Sequence, residues 1–183
     1  NPIYSSTLDI DKDLTKLIFS GLMKYGRDGK IENDLIENYS FSDNGKVLDF
    51  KIRENVFWHD KKQLTLDDIV FTLNIIQDPE YLSPLRASFL GISLEKLSEF
   101  EGRFKLSETY GGFLENLINF KIIPKHIFKD VPAQNFASDK NLNILSVIGS
   151  GPYKMYRIRE NGSIHSIQLR ANEDYYSGRP FIK

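Results

Sequence analysis

A histidine and a carboxylate stand side by side at His59 and Asp60, residue types that bind metal ions or transfer protons. A zinc site needs three or four converging ligands. The other two of the three histidines, His126 and His165, lie far along the chain in different expected elements. We therefore interpret His59 and Asp60 as a pair that stabilises a turn between a strand and a helix. We expect neither a metal site nor a cofactor.

Two adjacent carboxylates, Asp67 and Asp68, raise the question of paired acid–base catalysis. Adjacent positions on a helix point about 100° apart, so these two side chains do not converge on one substrate. Thr65 precedes Asp68 by three residues, which resembles a capping box with Asp in place of Glu. Carboxylates in a first helical turn are also favoured by the helix dipole. The pair therefore predicts the start of a helix.

The glycines do not form a recognised nucleotide-binding pattern. Gly149-Ser150-Gly151 lacks the Lys-Ser/Thr end of a phosphate loop and the three spaced glycines of a dinucleotide-binding turn. Ser150 enters an expected strand followed by a hairpin, whereas a nucleophilic serine sits between a strand and a helix. The sequence therefore predicts no enzymatic activity and no hydrolase site.

The composition is that of an ordinary globular protein, and the net charge is too small to create a strong electrostatic field. The chain has 183 residues, a net charge of −1 and no cysteine, which excludes disulfides and thiolate metal sites. The basic and aromatic run from Lys154 to Arg159 is interpreted as a solvated strand face, so no nucleic-acid partner is expected. No apolar run approaches the roughly 20 residues that span a bilayer. Because the chain starts with Asn1-Pro2 and not Met, we expect that an upstream segment has been removed.

Three helical segments stand out. Asp11 or Asp13 is expected to cap the first helix, whose apolar stripe contains Leu14, Leu17, Ile18 and Leu22. Gly21 interrupts this stripe, and close packing would explain it. The second helix starts after Thr65 and ends before Asp78-Pro79. A third, short helix is expected around residues 113–118.

The strands follow an alternating pattern. Leu48, Phe50 and Ile52 alternate with charged residues, and residues 102–107 read as another strand. Leu35, Tyr39 and Phe41 are expected to share one face of the strand before them. Asn161-Gly162 predicts a hairpin that joins residues 153–159 to residues 163–170.

Six motifs, in this order along the chain, resemble those of the family 5 extracellular solute-binding proteins, the oligopeptide, dipeptide and nickel binders of ABC importers. They are Leu17–Tyr25, Asp28–Tyr39, Trp58–Thr72, Pro124–Ile127, Gly149–Tyr153 and Asn172–Pro180. This sequence departs from the family pattern at four positions, one of which is Ile123, where the family commonly has Leu. Lys61 stands where the family usually has Gly, while Asn33 and Glu173 stand where it has Pro.

The resemblance implies an α/β fold, namely a partial lobe of a type II periplasmic-binding-protein fold with an inserted α+β subdomain. Residues 1–31 and 147–183 would form segments of the main lobe I, and residues 32–146 would form the small subdomain. Family members have a second lobe after the position of Lys183.

The resemblance also implies a function. The chain would belong to a substrate-binding component of an ABC transporter, which captures peptides or another small solute and delivers them to permease subunits. The protein would lie outside the cytoplasm, either in the periplasm or lipid-anchored on the outer face of the membrane. The ligand-binding residues implied are one loop before the first helix and one loop of the small subdomain: Tyr4, Ser5, Ser6, Thr7, Leu8, Leu85, Arg86 and Phe89.

Three alternatives remain open at this point. The first is a nickel- or haem-binding member of the same family. The second is the ligand-sensing domain of a transcription regulator, which an upstream helix-turn-helix would reveal. The third is a stand-alone enzyme, for which the sequence offers no constellation of catalytic residues.

Overall fold

A computed structural model of the chain describes residues 2–3, 9–136, 138–139, 147–160 and 164–182. The fold is mixed α/β, and no helix within these residues is both long and apolar enough to cross a bilayer. The elements in chain order are α1 Asp9–Ile18, β1 Met23–Tyr25, β2 Ile31–Asn33, β3 Ile36–Ser42, β4 Val47–Ile52, α2 Leu66–Gln77, α3 Arg86–Phe89, β5 Ile92–Lys96, β6 Glu101–Leu106, α4 Phe113–Asn119, α5 Lys125–Phe128, β7 Tyr153–Glu160 and β8 Ile164–Ala171.

An antiparallel sheet of order β3-β4-β6-β5 forms the centre of the molecule. Leu48, Phe50 and Ile52 point into the core from β4, so the predicted alternation of that strand is confirmed. The predicted strand around residues 102–107 is confirmed as β6. Residues of α2, α3, α4 and α5 are buried in the same hydrophobic cluster as the sheet, which places the main core between sheet and helices.

The first part of β3 departs from the sequence prediction. A bulge between Ile36 and Asn38 adds one residue to the strand, so Ile36 and not Leu35 is in phase with Tyr39 and Phe41. Tyr39 pairs with Phe50 across the sheet, but β3 is an edge strand, and the residues Tyr39 and Phe41 stay 37% and 44% exposed. The prediction of a face shared by Leu35, Tyr39 and Phe41 is therefore wrong.

The first helix starts earlier and ends earlier than predicted. Helix α1 starts at Asp9, so Asp11 and Asp13 lie inside it and do not cap it. It ends at Ile18, and Leu22 is buried in the main core beyond the helix. The expected close packing of Gly21 does occur, since a Cβ atom there would lie 3.0 Å from the carbonyl oxygen of Ile118 in α4 and 3.0 Å from that of Met23 in β1.

The second helix agrees with the sequence at both ends. The backbone N–H of Thr65 donates to Asp68 Oδ2 at 3.0 Å, which is half of the predicted capping box. Helix α2 ends at Gln77, directly before Asp78-Pro79. Its buried residues include Leu66, Ile69 and Leu73, as the apolar stripe requires.

Strands β7 and β8 pair antiparallel, as the hairpin prediction requires, while the turn at Asn161-Gly162 lies outside the described residues. A second, smaller hydrophobic cluster joins this hairpin to α1. Its buried members are Ile18, Phe19 and Val147, with Met155 and Leu169 packed against them.

Candidate functional site

One of the two loops that the sequence proposed for ligand binding, the loop at Ser83, is hydrogen-bonded to the backbone just before the other. Residues 4–8 lie outside the described residues, but their neighbour Ile3 is fully buried. Ser83, at the start of the second loop, is only 5% exposed, and its Oγ donates to the carbonyl oxygen of Ile3 at 3.0 Å. The hydroxyl of Ser83 also accepts the backbone N–H of Leu85 at 3.2 Å. The second loop is therefore fixed to the backbone directly before residue 4.

The other predicted site residues of this loop differ in what they can contact. Leu85 is half-buried and packs against the main core. Arg86 is also half-buried, and its Nε donates to the carbonyl oxygen of Gln77 at 3.0 Å. Phe89 is fully buried, and its ring centre lies 5.0 Å from that of Phe120. Phe89 thus supports the loop from inside the core and has no surface on which to meet a solute.

His59 joins the strand–helix junction to the segment that leads into β7. Its Nδ1 accepts the N–H of Gly149 at 3.2 Å, and its Nε2 lies 3.1 Å from the carbonyl oxygen of Gly151. Since Nδ1 accepts, this pattern assigns the proton to Nε2 in a neutral ring. Burial lowers the pKa of His59 to about 4. Both ring nitrogens are therefore occupied by backbone partners.

The carboxylate next to it has a different partner from the one expected. Asp60 Oδ2 lies 2.8 Å from His126 Nε2, although 66 residues separate them in sequence. The prediction that His59 pairs with Asp60 is therefore wrong, because Asp60 pairs with His126, a residue far away in sequence. Within the described ranges, no group of three or more histidines or carboxylates converges to hold a metal ion.

Asp68 does more than cap α2. Its Oδ1 accepts the backbone N–H of Lys125 at 2.8 Å, and its Oδ2 accepts the indole N–H of Trp58 at 3.4 Å. Burial raises the pKa of this carboxyl, against the lowering effect of its hydrogen bonds. The side chain thus fixes the starts of α2 and α5 relative to each other, which its spacing in the sequence did not reveal.

A second buried carboxylate, Asp34, connects distant parts of the chain. Its Oδ1 accepts the hydroxyl of Tyr176 at 2.6 Å, and its Oδ2 accepts the N–H of Gly21 at 3.3 Å. Burial and the charge of Asp34 raise the pKa of Tyr176 well above its ordinary value. Close by, the hydroxyl of Ser20 donates to the carbonyl oxygen of Ser150 at 3.2 Å. Sequence analysis missed this network because its members are spread over the whole chain.

The described residues offer a firmly held loop at Ser83 and no nucleophile paired with a base at Ser150. Ser150 is fully buried, and His59, which contacts the glycines on either side of it, is engaged with backbone on both ring nitrogens. A nucleophile needs a base within hydrogen-bond reach and access to a substrate. The arrangement suits non-covalent capture of a ligand by loops on a rigid scaffold.

Comparison with known families gives one match over most of the chain. The model of the bacterial extracellular solute-binding proteins, family 5 Middle, matches residues 30–183. Among curated proteins, the oligopeptide-binding protein AppA of Bacillus subtilis (strain 168) is 33% identical, over 100% of this chain and 33% of its own length.

Solved structures show the same likeness. AppA from Bacillus subtilis in complex with a nonapeptide superposes with a TM-score of 0.90 and 34% identity, over 98% of this chain and 35% of its own. NikZ from Campylobacter jejuni in complex with Ni(L-His) gives a TM-score of 0.84 and 29% identity, over 98% and 34%. MoaA from A. tumefacien R10 in complex with mannopinic acid gives 0.79 and 26%, over 100% and 36%. The chain therefore spans about a third of the length of these relatives.

Proposed function

Because this chain belongs to the bacterial extracellular solute-binding proteins of family 5, we propose that it is part of the substrate-binding component of an ABC transporter. In this proposal the protein captures peptides outside the membrane for import. It is a binding protein and not an enzyme. The observation that carries the proposal is the likeness, over 98% of this chain, to an oligopeptide-binding protein holding a nonapeptide.

The proposed solute contacts lie in two loops, one that follows Ile3 and one that follows Ser83, and Ser83 Oγ donates to the carbonyl oxygen of Ile3. They comprise Tyr4, Ser5, Ser6, Thr7 and Leu8 in the first loop, and Leu85 and Arg86 in the second. Main-chain groups of a peptide would be held by hydrogen bonds, as in strand addition. Phe89 is left out because it is fully buried.

For the domain organisation, we propose that residues 1–31 and 147–183 belong to the main lobe and residues 32–146 to an inserted subdomain. The two hydrophobic clusters support this division only in part, since Ile3, Ile148 and Tyr176 of the proposed main-lobe segments pack in the larger cluster. The smaller cluster joins α1 to residue 147 and to the β7–β8 hairpin. Leu22 and Met23 belong to the larger cluster, which favours a boundary nearer to residue 20 than to residue 31.

The remainder of the binding protein lies in the proposed second lobe, which would complete the cleft and close over the solute by a hinge motion. The proposed partners are the solute and the permease subunits of the transporter. The proposed location is the periplasm, or the outer face of the membrane with a lipid anchor.

A second candidate is a nickel chelate or another small solute in the same cleft. The likeness to NikZ with bound Ni(L-His), at a TM-score of 0.84, favours keeping it. Peptide capture is preferred because AppA has the higher identity and the higher TM-score of the two structures.

Titration calorimetry on the full-length protein tests the proposal. A tripeptide, a nonapeptide of mixed composition and a nickel–histidine complex are titrated under the same conditions. We expect micromolar or tighter binding of at least one peptide, and weak or no binding by this chain alone, since it would supply only one side of the cleft. Tight binding of the nickel complex without any peptide binding would contradict the proposal. Micromolar peptide binding by this chain alone would refute the division of the cleft between two lobes.

A further inference from the structure

One exposed leucine adopts a backbone conformation that leucine rarely takes. Leu82 has a φ of 54° and leaves 76% of its surface exposed. Left-handed backbone at a non-glycine residue is strained, and water is an unfavourable environment for its side chain. Gly or Asn would suit this backbone better, and a polar side chain would suit this exposure better.

The strain is maintained by the residues on both sides. Tyr81 is 3% exposed, and its ring centre lies 5.9 Å from that of Phe136. On the other side, the hydroxyl of Ser83 is engaged by the backbone of Ile3 and Leu85. Because both neighbours are anchored, the chain holds the side chain of Leu82 outward while the residues beside it are buried.

The position of this residue points to a role. Leu82 directly precedes Ser83, the serine that opens the proposed solute loop of Leu85 and Arg86 and donates to the carbonyl oxygen of Ile3. Strained residues persist where the surrounding structure fixes them, and they concentrate at binding and active sites. We propose that Leu82 determines specificity, because its side chain packs against an apolar side chain of the bound peptide. This inference rests on the proposed function and adds to it a preference for peptides with an apolar residue at one position.

The test uses the full-length protein and a panel of peptides in which a single leucine is moved along an otherwise Ala/Ser sequence. Calorimetry gives the Kd of each peptide and of its Leu→Ser partner. In the wild type, we expect one position at which Leu binds more tightly than Ser. The variant Leu82→Asn keeps the size of the side chain and tolerates the left-handed backbone. It should lower the Leu-over-Ser preference at that position by about tenfold, as expected for the loss of one apolar contact. Leu82→Met should restore most of the preference.

A matched control and a stability measurement separate recognition from folding. Leu97, 47% exposed in the turn between β5 and β6, is changed to Asn and should leave the preference unchanged. The Tm of Leu82→Asn should equal or exceed that of the wild type, because Asn relieves backbone strain.

The possible outcomes are distinct. If the wild type binds peptides and Leu82→Asn leaves the Leu-over-Ser preference unchanged, the inference is overturned while the proposed function stands. If Leu82→Asn weakens Leu and Ser peptides equally, Leu82 is a structural contact and the inference is again overturned. If the wild type binds none of the peptides, the proposed function itself fails and the inference fails with it.

Discussion

Acid should weaken the junction between the strand–helix turn and the segment before β7 through a single imidazole, that of His59. In the folded chain both ring nitrogens contact backbone, and burial lowers the pKa of His59 from 6.5 to about 4. The unfolded state therefore binds a proton more readily than the folded state between these two values. The stabilisation is complete above pH 6.5 and is lost as the pH falls towards 4. It amounts to about 2 kcal/mol lost by pH 5 and about 3 kcal/mol by pH 4.

The informative variant is His59→Asn. The amide oxygen of Asn can still accept the N–H of Gly149, but the side chain does not reach Gly151. The carbonyl oxygen of Gly151 keeps a second donor, Asn172 Nδ2 at 3.1 Å. The variant should therefore lose only about 1 kcal/mol at neutral pH, the net value of one hydrogen bond. Since Asn does not titrate, the variant lacks the acid-dependent loss, and the two stability curves should cross near pH 6.

The assay is urea unfolding between pH 7.5 and pH 4, followed by the fluorescence of Trp58, the one tryptophan of the sequence, which is 1% exposed. The raised pKa of Asp68 acts in the opposite direction, because protonation then favours the folded state. Its contribution is present in both proteins and cancels in their difference. The variant His126→Asn removes another imidazole without touching Gly149 or Gly151, so the acid-dependent loss should persist in it. Parallel curves for the wild type and His59→Asn would refute the reasoning.

Three further changes test packing and hydrogen bonding by urea unfolding. Gly149→Ala should lower the free energy of unfolding by about 3 kcal/mol or more, because its Cβ would lie 1.9 Å from the carbonyl oxygen of Ile18 at the end of α1. The control Gly111→Ala has open space around its Cβ and should leave the free energy of unfolding nearly unchanged. Tyr176→Phe should cost about 2 kcal/mol, because the buried carboxylate of Asp34 loses its closest donor, and an unchanged stability would contradict the network. Lys61 has a φ of 74°, a backbone conformation that Gly adopts without strain and Ala does not, and both substitutions remove the same ion pair with Asp174. Lys61→Gly should therefore be about 1 kcal/mol more stable than Lys61→Ala. Equal stabilities would show that the backbone at this turn is not strained.

Local rules predicted a substantial part of the fold. Helix α2 starts and ends where the Thr65–Asp68 pair and Asp78-Pro79 require, and the alternation in β4 assigns its buried face correctly. The family pattern also agrees with the backbone conformation at Lys61. The family usually has Gly at this position, and Gly readily adopts the left-handed backbone that Lys61 has in the structure. These features depend on neighbours within a few residues, which a sequence displays directly.

The sequence-based predictions were wrong where an irregularity in a strand, or a contact between residues far apart in the sequence, determines the structure. The bulge after Ile36 changes which residues of β3 face the core, and no residue type at that position predicts a bulge. Asp60 contacts His126 and not the adjacent His59, because folding brings α5 beside the strand–helix turn. Phe89 reads as a loop residue in the sequence, yet the core closes over it. Ser83 lies within the predicted loop, but only the structure shows that it holds Ile3.

Native mass spectrometry of the gently purified full-length protein tests the central claim, capture of peptides, most directly. The account predicts a series of added masses that correspond to short peptides and are displaced by a defined peptide added in excess. An unliganded mass that a peptide library leaves unchanged, but that shifts with a nickel–histidine complex or with another small solute, would contradict it.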